Sequence, residues 1–66
     1  MNILLNGEPR DITEGTTLSE LLVELEMSQQ RIAVEINLNI IPRSQHAETI
    51  LKTDDKVEVV RAIGGG

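Results

Sequence analysis

Thr17-Leu18-Ser19-Glu20-Leu21-Leu22-Val23-Glu24-Leu25 carries two independent helix signals. Leu18, Leu21, Leu22 and Leu25 recur at i, i+3, i+4 and i+7, which draws one apolar stripe along a helix. Thr17 and Glu20 stand at the spacing of a capping box, in which hydroxyl and carboxylate satisfy the backbone donors left over at a helix start. The pattern predicts a helix running to about Met27, with Glu20, Glu24 and Glu26 turned to solvent. An amphipathic helix must bury its stripe, and a chain with no second such helix has only a sheet to offer.

The flanking sequence supplies the strands. Residues 1–5 are an apolar run closed by Asn6-Gly7, a pair that accepts the positive φ of a type I′ hairpin turn. Residues 8–12 return, with Pro9 restricting that strand to an edge because it lacks a backbone donor. Beyond the helix, residues 28–31 form a polar connection. Residues 32–36 read as a strand, Asn37-Leu38-Asn39 as a turn, and Ile40-Ile41 as a very short strand stopped by Pro42. Residues 43–49 have no clear period and read as a loop with a helical turn. Asp54-Asp55-Lys56 is a polar turn, residues 57–63 are the last strand, and Gly64-Gly65-Gly66 follow. Five strands and one main helix give an α+β fold with a mixed sheet covered on one face. The first and last strands can then lie side by side and parallel at the centre, the β-grasp arrangement, which the order of elements alone does not fix. Residues 1–63 would form this domain and residues 64–66 a flexible glycine tail.

Alternation along strands assigns faces. Ile3, Leu5, Val57 and Val59 are expected against the helix, which turns Leu4, Val60 and Ala62 outward. Outward aliphatics on central strands are a candidate partner patch, although single surface aliphatics are also ordinary.

Composition narrows the function. Sixty-six residues with 39% hydrophobic content and no Phe, Trp or Tyr build a thin aliphatic core with little room for a deep, dry pocket. That argues against an enzyme in its own right. The net charge of −5, with six basic residues scattered along the chain, does not suit nucleic acid, whose binding draws on Lys, Arg and aromatic platforms. It suits a basic protein partner, or serves solubility alone. Absence of cysteine removes disulfides and thiol chemistry. No apolar segment approaches the ~20 residues that span a bilayer, and no signal peptide is evident. The expectation is a cytoplasmic protein that binds neither membrane nor nucleic acid.

The glycine run is the most informative feature. It has no side chain to be recognised and offers slenderness, free backbone torsions and a terminal carboxylate. Extended, it reaches roughly 10 Å, enough to enter another protein's active site with its carbonyl carbon unshielded. Ordering it costs roughly 1–2 kcal/mol per residue, which docking of the folded body has to offset. Ordinary terminal fraying is the bland alternative. Other candidates are weaker. His46 is the only histidine, so a metal site is not expected, and it is placed on a loop or edge. Asp54 and Asp55 belong to a turn in which Asp bonds its own backbone. Ser19, Ser28 and Ser44 have no base at a recognisable spacing.

Across essentially its whole length the chain resembles the sulfur carriers of thiamine biosynthesis, the ubiquitin-like ThiS family. The resemblance rests on Asn6-Gly7, on Thr17-Leu18-Ser19-Glu20-Leu21-Leu22, on Ala33-Val34-Glu35-Ile36-Asn37, on Ile40-Ile41-Pro42-Arg43 and on terminal Gly65-Gly66. The Asn-to-Arg stretch and the glycines are its specific parts. The chain departs from the family at Thr53-Asp54-Asp55, where a glycine is often found, and at His46, where a bulky or aromatic residue is common.

The resemblance implies a mechanism. A partner adenylating enzyme (E1-like, ThiF type), using ATP and Mg²⁺, would activate the Gly66 carboxylate as an acyl-adenylate, with Gly64 and Gly65 as its lead. A sulfur-donor protein would then displace AMP to leave a thiocarboxylate, and a thiazole synthase (ThiG type) would accept the sulfur. On this reading the chain is a co-substrate that binds no cofactor itself. Three alternatives stay open: a sulfur carrier for molybdenum cofactor synthesis, a ubiquitin-like modifier joined to target lysines through Gly66, and a non-covalent binding module.

Overall fold

The computed structural model describes residues 1–61. In chain order the elements are β1 (Asn2–Leu5), β2 (Glu8–Asp11), α1 (Leu18–Glu24), β3 (Ile32–Ile36), β4 (Asn39–Ile41), a 3-10 helix (Arg43–Glu48) and β5 (Lys56–Arg61). The strands form one sheet in the order β2-β1-β5-β3-β4. β1 and β5 run parallel, and every other pairing is antiparallel. The expected β-grasp arrangement is therefore the one found, with Pro9 on edge strand β2, opposite Leu4.

Two hairpins set the register. Asn6 and Gly7 adopt φ of 50° and 84° between β1 and β2, and Asn37 and Leu38 adopt 51° and 71° between β3 and β4. Positive φ at both central residues gives the turn the twist of its flanking strands. Asn and Gly enter that region readily. Leu38 does so against its steric preference, and it stands 84% exposed.

The core lies between α1 and one face of the sheet. Leu18, Leu21 and Leu22 are buried in one cluster with Ile3, Val34, Ile36, Val57 and Val59, which Ile12 and Leu51 complete. Leu25, the last member of the stripe, is half-buried against this cluster. Burial of each large aliphatic side chain contributes about 1.5–3 kcal/mol, and this aliphatic layer is the main force holding the helix to the sheet.

The helix starts as its capping signal predicts. The Glu20 N–H donates to Thr17 Oγ1 at 3.1 Å, and the Thr17 N–H donates to Glu20 Oε1 at 2.8 Å. The Leu18 N–H donates to the Thr49 carbonyl at 2.8 Å, and the Leu51 N–H to the Thr16 carbonyl at 2.9 Å. Residues 49–51 are thereby braced against the helix start.

Its end differs from expectation. α1 stops at Glu24, before Met27, because Glu26 takes φ +59°. The Glu26 N–H reaches the Val23 carbonyl at 3.0 Å and the Met27 N–H reaches the Leu22 carbonyl at 2.9 Å. This is a Schellman cap with a glutamate where glycine is usual. Apolar periodicity continues through Met27 because Met27 still packs on the core, although the helix has already closed.

His46 also departs from expectation. It is buried at 6% exposure within the 3-10 helix, in place of the loop or edge position that the sequence predicts. Its Nε2–H donates to the Ile41 carbonyl at 2.9 Å. In a chain without aromatic residues, the imidazole fills the place of a bulky side chain and satisfies its polar edge on the backbone. Asp55 keeps its structural role. Its carboxylate accepts the Lys52 N–H at 2.8 Å and an Asn37 Nδ2–H at 3.0 Å, which ties the turn before β5 to the β3–β4 hairpin.

Candidate functional site

The site predicted from sequence is the end of β5, the glycines beyond it, and the sheet face opposite the helix. Gly64, Gly65, Gly66 and the patch residue Ala62 lie outside the described residues. The structure describes the strand leading to them and the surface around it.

β5 occupies the centre of the sheet. On one side it pairs with β3 along its length, from Ile36 opposite Val57 to Ile32 opposite Arg61. On the other side β1 accompanies it only as far as Leu5 opposite Val57. There the chain turns away, and Asn6 takes over the contact. The Asn6 N–H donates to the Val57 carbonyl at 2.8 Å. The Val59 N–H then donates to Asn6 Oδ1 at 2.9 Å, and Asn6 Nδ2–H donates to the Val59 carbonyl at 3.3 Å. The last strand is thus held on both edges at Val59, two residues before the end of the described chain.

The open face bears the predicted alternation. Leu4 is half-buried and Val60 is 57% exposed, both on the side away from the helix. They do not adjoin. Leu4 stands opposite Lys56, and Val60 lies four residues further along β5, roughly 13 Å at about 3.3 Å per residue. The neighbour that pairing gives Val60 is Ala33, directly opposite on β3. Glu35 stands opposite both Glu58 and Ile40, and Ile40 is 74% exposed. Like charges set directly opposite repel, and among the described residues neither glutamate has an ion-pair partner. The face presented alongside the outgoing strand is therefore Val60, Ala33 and Ile40 around two carboxylates, with Leu4 set apart.

Elsewhere the surface offers little chemistry. A cleft of about 140 Å³ between α1 and the 3-10 helix is lined by Ser19, Leu22, Ile32, Arg43 and His46, among others. The His46 Nε2–H at this cleft is already committed to the Ile41 carbonyl. A shallow groove of about 510 Å³ at the helix start is lined by Glu14, Glu20 and Glu24 with Thr13, Thr16 and Val23. Among the described residues, no group of three His, Cys, Asp or Glu is arranged to hold a metal ion, and no helix is long and apolar enough to cross a membrane.

Sequence reading misses two residues of this site. Asn6 is legible as a turn residue, but its use of the amide against β5 depends on the parallel β1–β5 register, which no local pattern reports. Ile40 reads as a strand residue with no face assigned, because three residues of β4 give too little alternation to choose one.

The sequence model of the ThiS family matches residues 3–66. Over 66 residues the chain is 44% identical to part of a thiazole synthase from Magnetococcus marinus, and it spans 20% of that protein's length. It is 36% identical to the sulfur carrier protein ThiS of Escherichia coli, with the whole of both chains covered. The crystal structure of the thiamine biosynthesis protein ThiS from Geobacter metallireducens superposes with a TM-score of 0.86, at 33% identity and complete coverage of both chains. With the predicted sheet order, the open face and the glycine run, these matches make the chain a member of the ThiS family.

Proposed function

We propose that this chain is a sulfur carrier of thiamine biosynthesis whose working group is the Gly66 carboxylate. The observation that carries the proposal is a central strand, fixed on both edges as far as Val59, whose described end at Arg61 is followed in sequence, after Ala62 and Ile63, by the side-chain-free lead of Gly64, Gly65 and Gly66. A rigid body can dock while a slender tail enters a narrow active site.

A free carboxylate is a poor acyl donor because its leaving group would be oxide. Adenylation by a partner enzyme with ATP and Mg²⁺ joins the Gly66 carboxylate oxygen to the α-phosphorus and releases pyrophosphate. A sulfur nucleophile then attacks the carbonyl carbon, the bond to AMP breaks, and a thiocarboxylate remains. Its sulfur passes to a thiazole synthase. Support for that recipient comes from the thiazole synthase of which one segment is 44% identical to this entire chain. The same resemblance favours thiazole formation over molybdenum cofactor synthesis. The protein acts as a co-substrate, with the catalytic groups on its partners, and works in the cytoplasm.

Intact-mass measurement after incubation with the adenylating enzyme, ATP, Mg²⁺ and bisulfide tests the reading. The expected product is heavier by the difference between sulfur and oxygen, and fragmentation places the change on Gly66. An unmodified chain under conditions where the enzyme consumes ATP would refute it.

A further inference from the structure

We propose that the Asn6 side chain is a positioning residue that aims the C-terminal tail, an inference that rests on the carrier reading above. A tight turn between β1 and β2 needs only a residue tolerant of positive φ, and glycine or aspartate meets that need. Asn6 does more than turn the chain. Its carboxamide has the same donor and acceptor as a peptide group, and it bonds both the N–H and the carbonyl of Val59, at 2.9 Å and 3.3 Å. The side chain therefore supplies the rung that β1 would have made had it continued past Leu5.

This rung sits at the base of the segment that leads to the glycines. Without Asn6, the edge of β5 facing β1 would lose its contacts after Val57, and the strand from Val59 to Arg61 would be held by β3 alone. Arg61 is two residues beyond Val59, roughly 7 Å along the strand. A tilt of about 10° at Val59 carries that point roughly 1 Å, and displacements of about 1 Å can already cost a reaction up to a hundredfold. Asn6 fixes the line along which β5 delivers its last residues while the docking face stays as it is.

The test compares Asn6→Gly and Asn6→Asp with the wild-type chain. Glycine keeps the positive φ and removes the amide. Aspartate keeps the turn and the acceptor for the Val59 N–H, but sets an oxygen against the Val59 carbonyl. Each variant is measured by amide hydrogen exchange at Val59, Val57 and Val34, and by initial rates of ATP–pyrophosphate exchange with the adenylating enzyme. Asn6→Gly is expected to lose protection at Val59, roughly tenfold or more, and Asn6→Asp, which keeps the acceptor, to lose less, while Val57 and Val34 keep theirs in both. Both are also expected to lose roughly tenfold in kcat with KM within about twofold. Unchanged exchange at Val59 in Asn6→Gly would overturn the clamp. Faster exchange with an unchanged kcat would overturn its role in aiming the tail, as would a rise in KM alone. A wild-type chain that is never adenylated overturns the carrier reading and the aiming role with it, while exchange at Val59 still reports on the clamp by itself.

Discussion

Val60 is the described residue best placed to separate docking from folding. It lies on the open face of the central strand, one residue before Arg61, and is 57% exposed. Complete burial of a valine side chain contributes about 1.5–3 kcal/mol. Roughly half of that is still available to a partner, so truncation by Val60→Ala should weaken docking by about 1 kcal/mol, or about fivefold. Val60→Asp should do far more, because it buries an unpaired carboxylate two residues from Glu58. Loss of the contact and desolvation together come to about 3 kcal/mol, or roughly a hundredfold in Kd. Folding should suffer little in either variant. A change at an exposed position costs at most about 1 kcal/mol, which in a domain of this size lowers Tm by about 4–8 °C. The assay is titration calorimetry against the adenylating enzyme, with thermal melts of each variant alone. Val23→Asp is the control, since Val23 is 62% exposed on the helix, away from the open face. A Val60→Asp chain that binds within about twofold of wild type would refute the docking argument, and so would equal weakening by Val23→Asp.

Two further predictions concern stability. Glu26→Gly should stabilise the chain by about 0.5–1 kcal/mol in chemical denaturation, since Glu26 holds the Schellman cap at φ +59° against a left-handed penalty of about 1–2 kcal/mol, partly offset by glycine's freedom when unfolded. An unchanged or lowered midpoint would mean that the cap does not govern this end of α1. His46→Ala should destabilise by about 2 kcal/mol, through the vacated space and the lost bond to Ile41. It should leave the kcat of adenylation within about twofold, and a large loss of kcat at full folding would show that His46 has a chemical role.

Local patterns foretell most of the architecture because each carries its own physics. The leucine spacing from Leu18 to Leu25 and the Thr17–Glu20 pair specify a helix whatever surrounds them. Asn6-Gly7 specifies a turn, and Pro9 specifies an edge. Alternation in residues 57–60 correctly turns Val57 and Val59 inward and Val60 outward. The failures share a cause. The end of α1 depends on a backbone reversal at Glu26, a residue with no sequence signature for it. Burial of His46 depends on the helix and β4 closing over a segment without periodicity. The separation of Leu4 from Val60, and the reach of Asn6 to Val59, both arise from one parallel register between the first and last strands. Such a register is set by the assembled sheet, and no window of sequence contains it.

Sulfur transfer tests the central claim most directly. The chain, thiocarboxylated at Gly66 with heavy-isotope sulfur, would be supplied to a thiazole synthase in a single turnover beside a C-terminally amidated control. The account predicts the heavy isotope in the thiazole, a carboxylate restored on Gly66, and no product from the amidated chain. Thiazole formed at an equal rate from the amidated chain, or formed without the isotope, would contradict it.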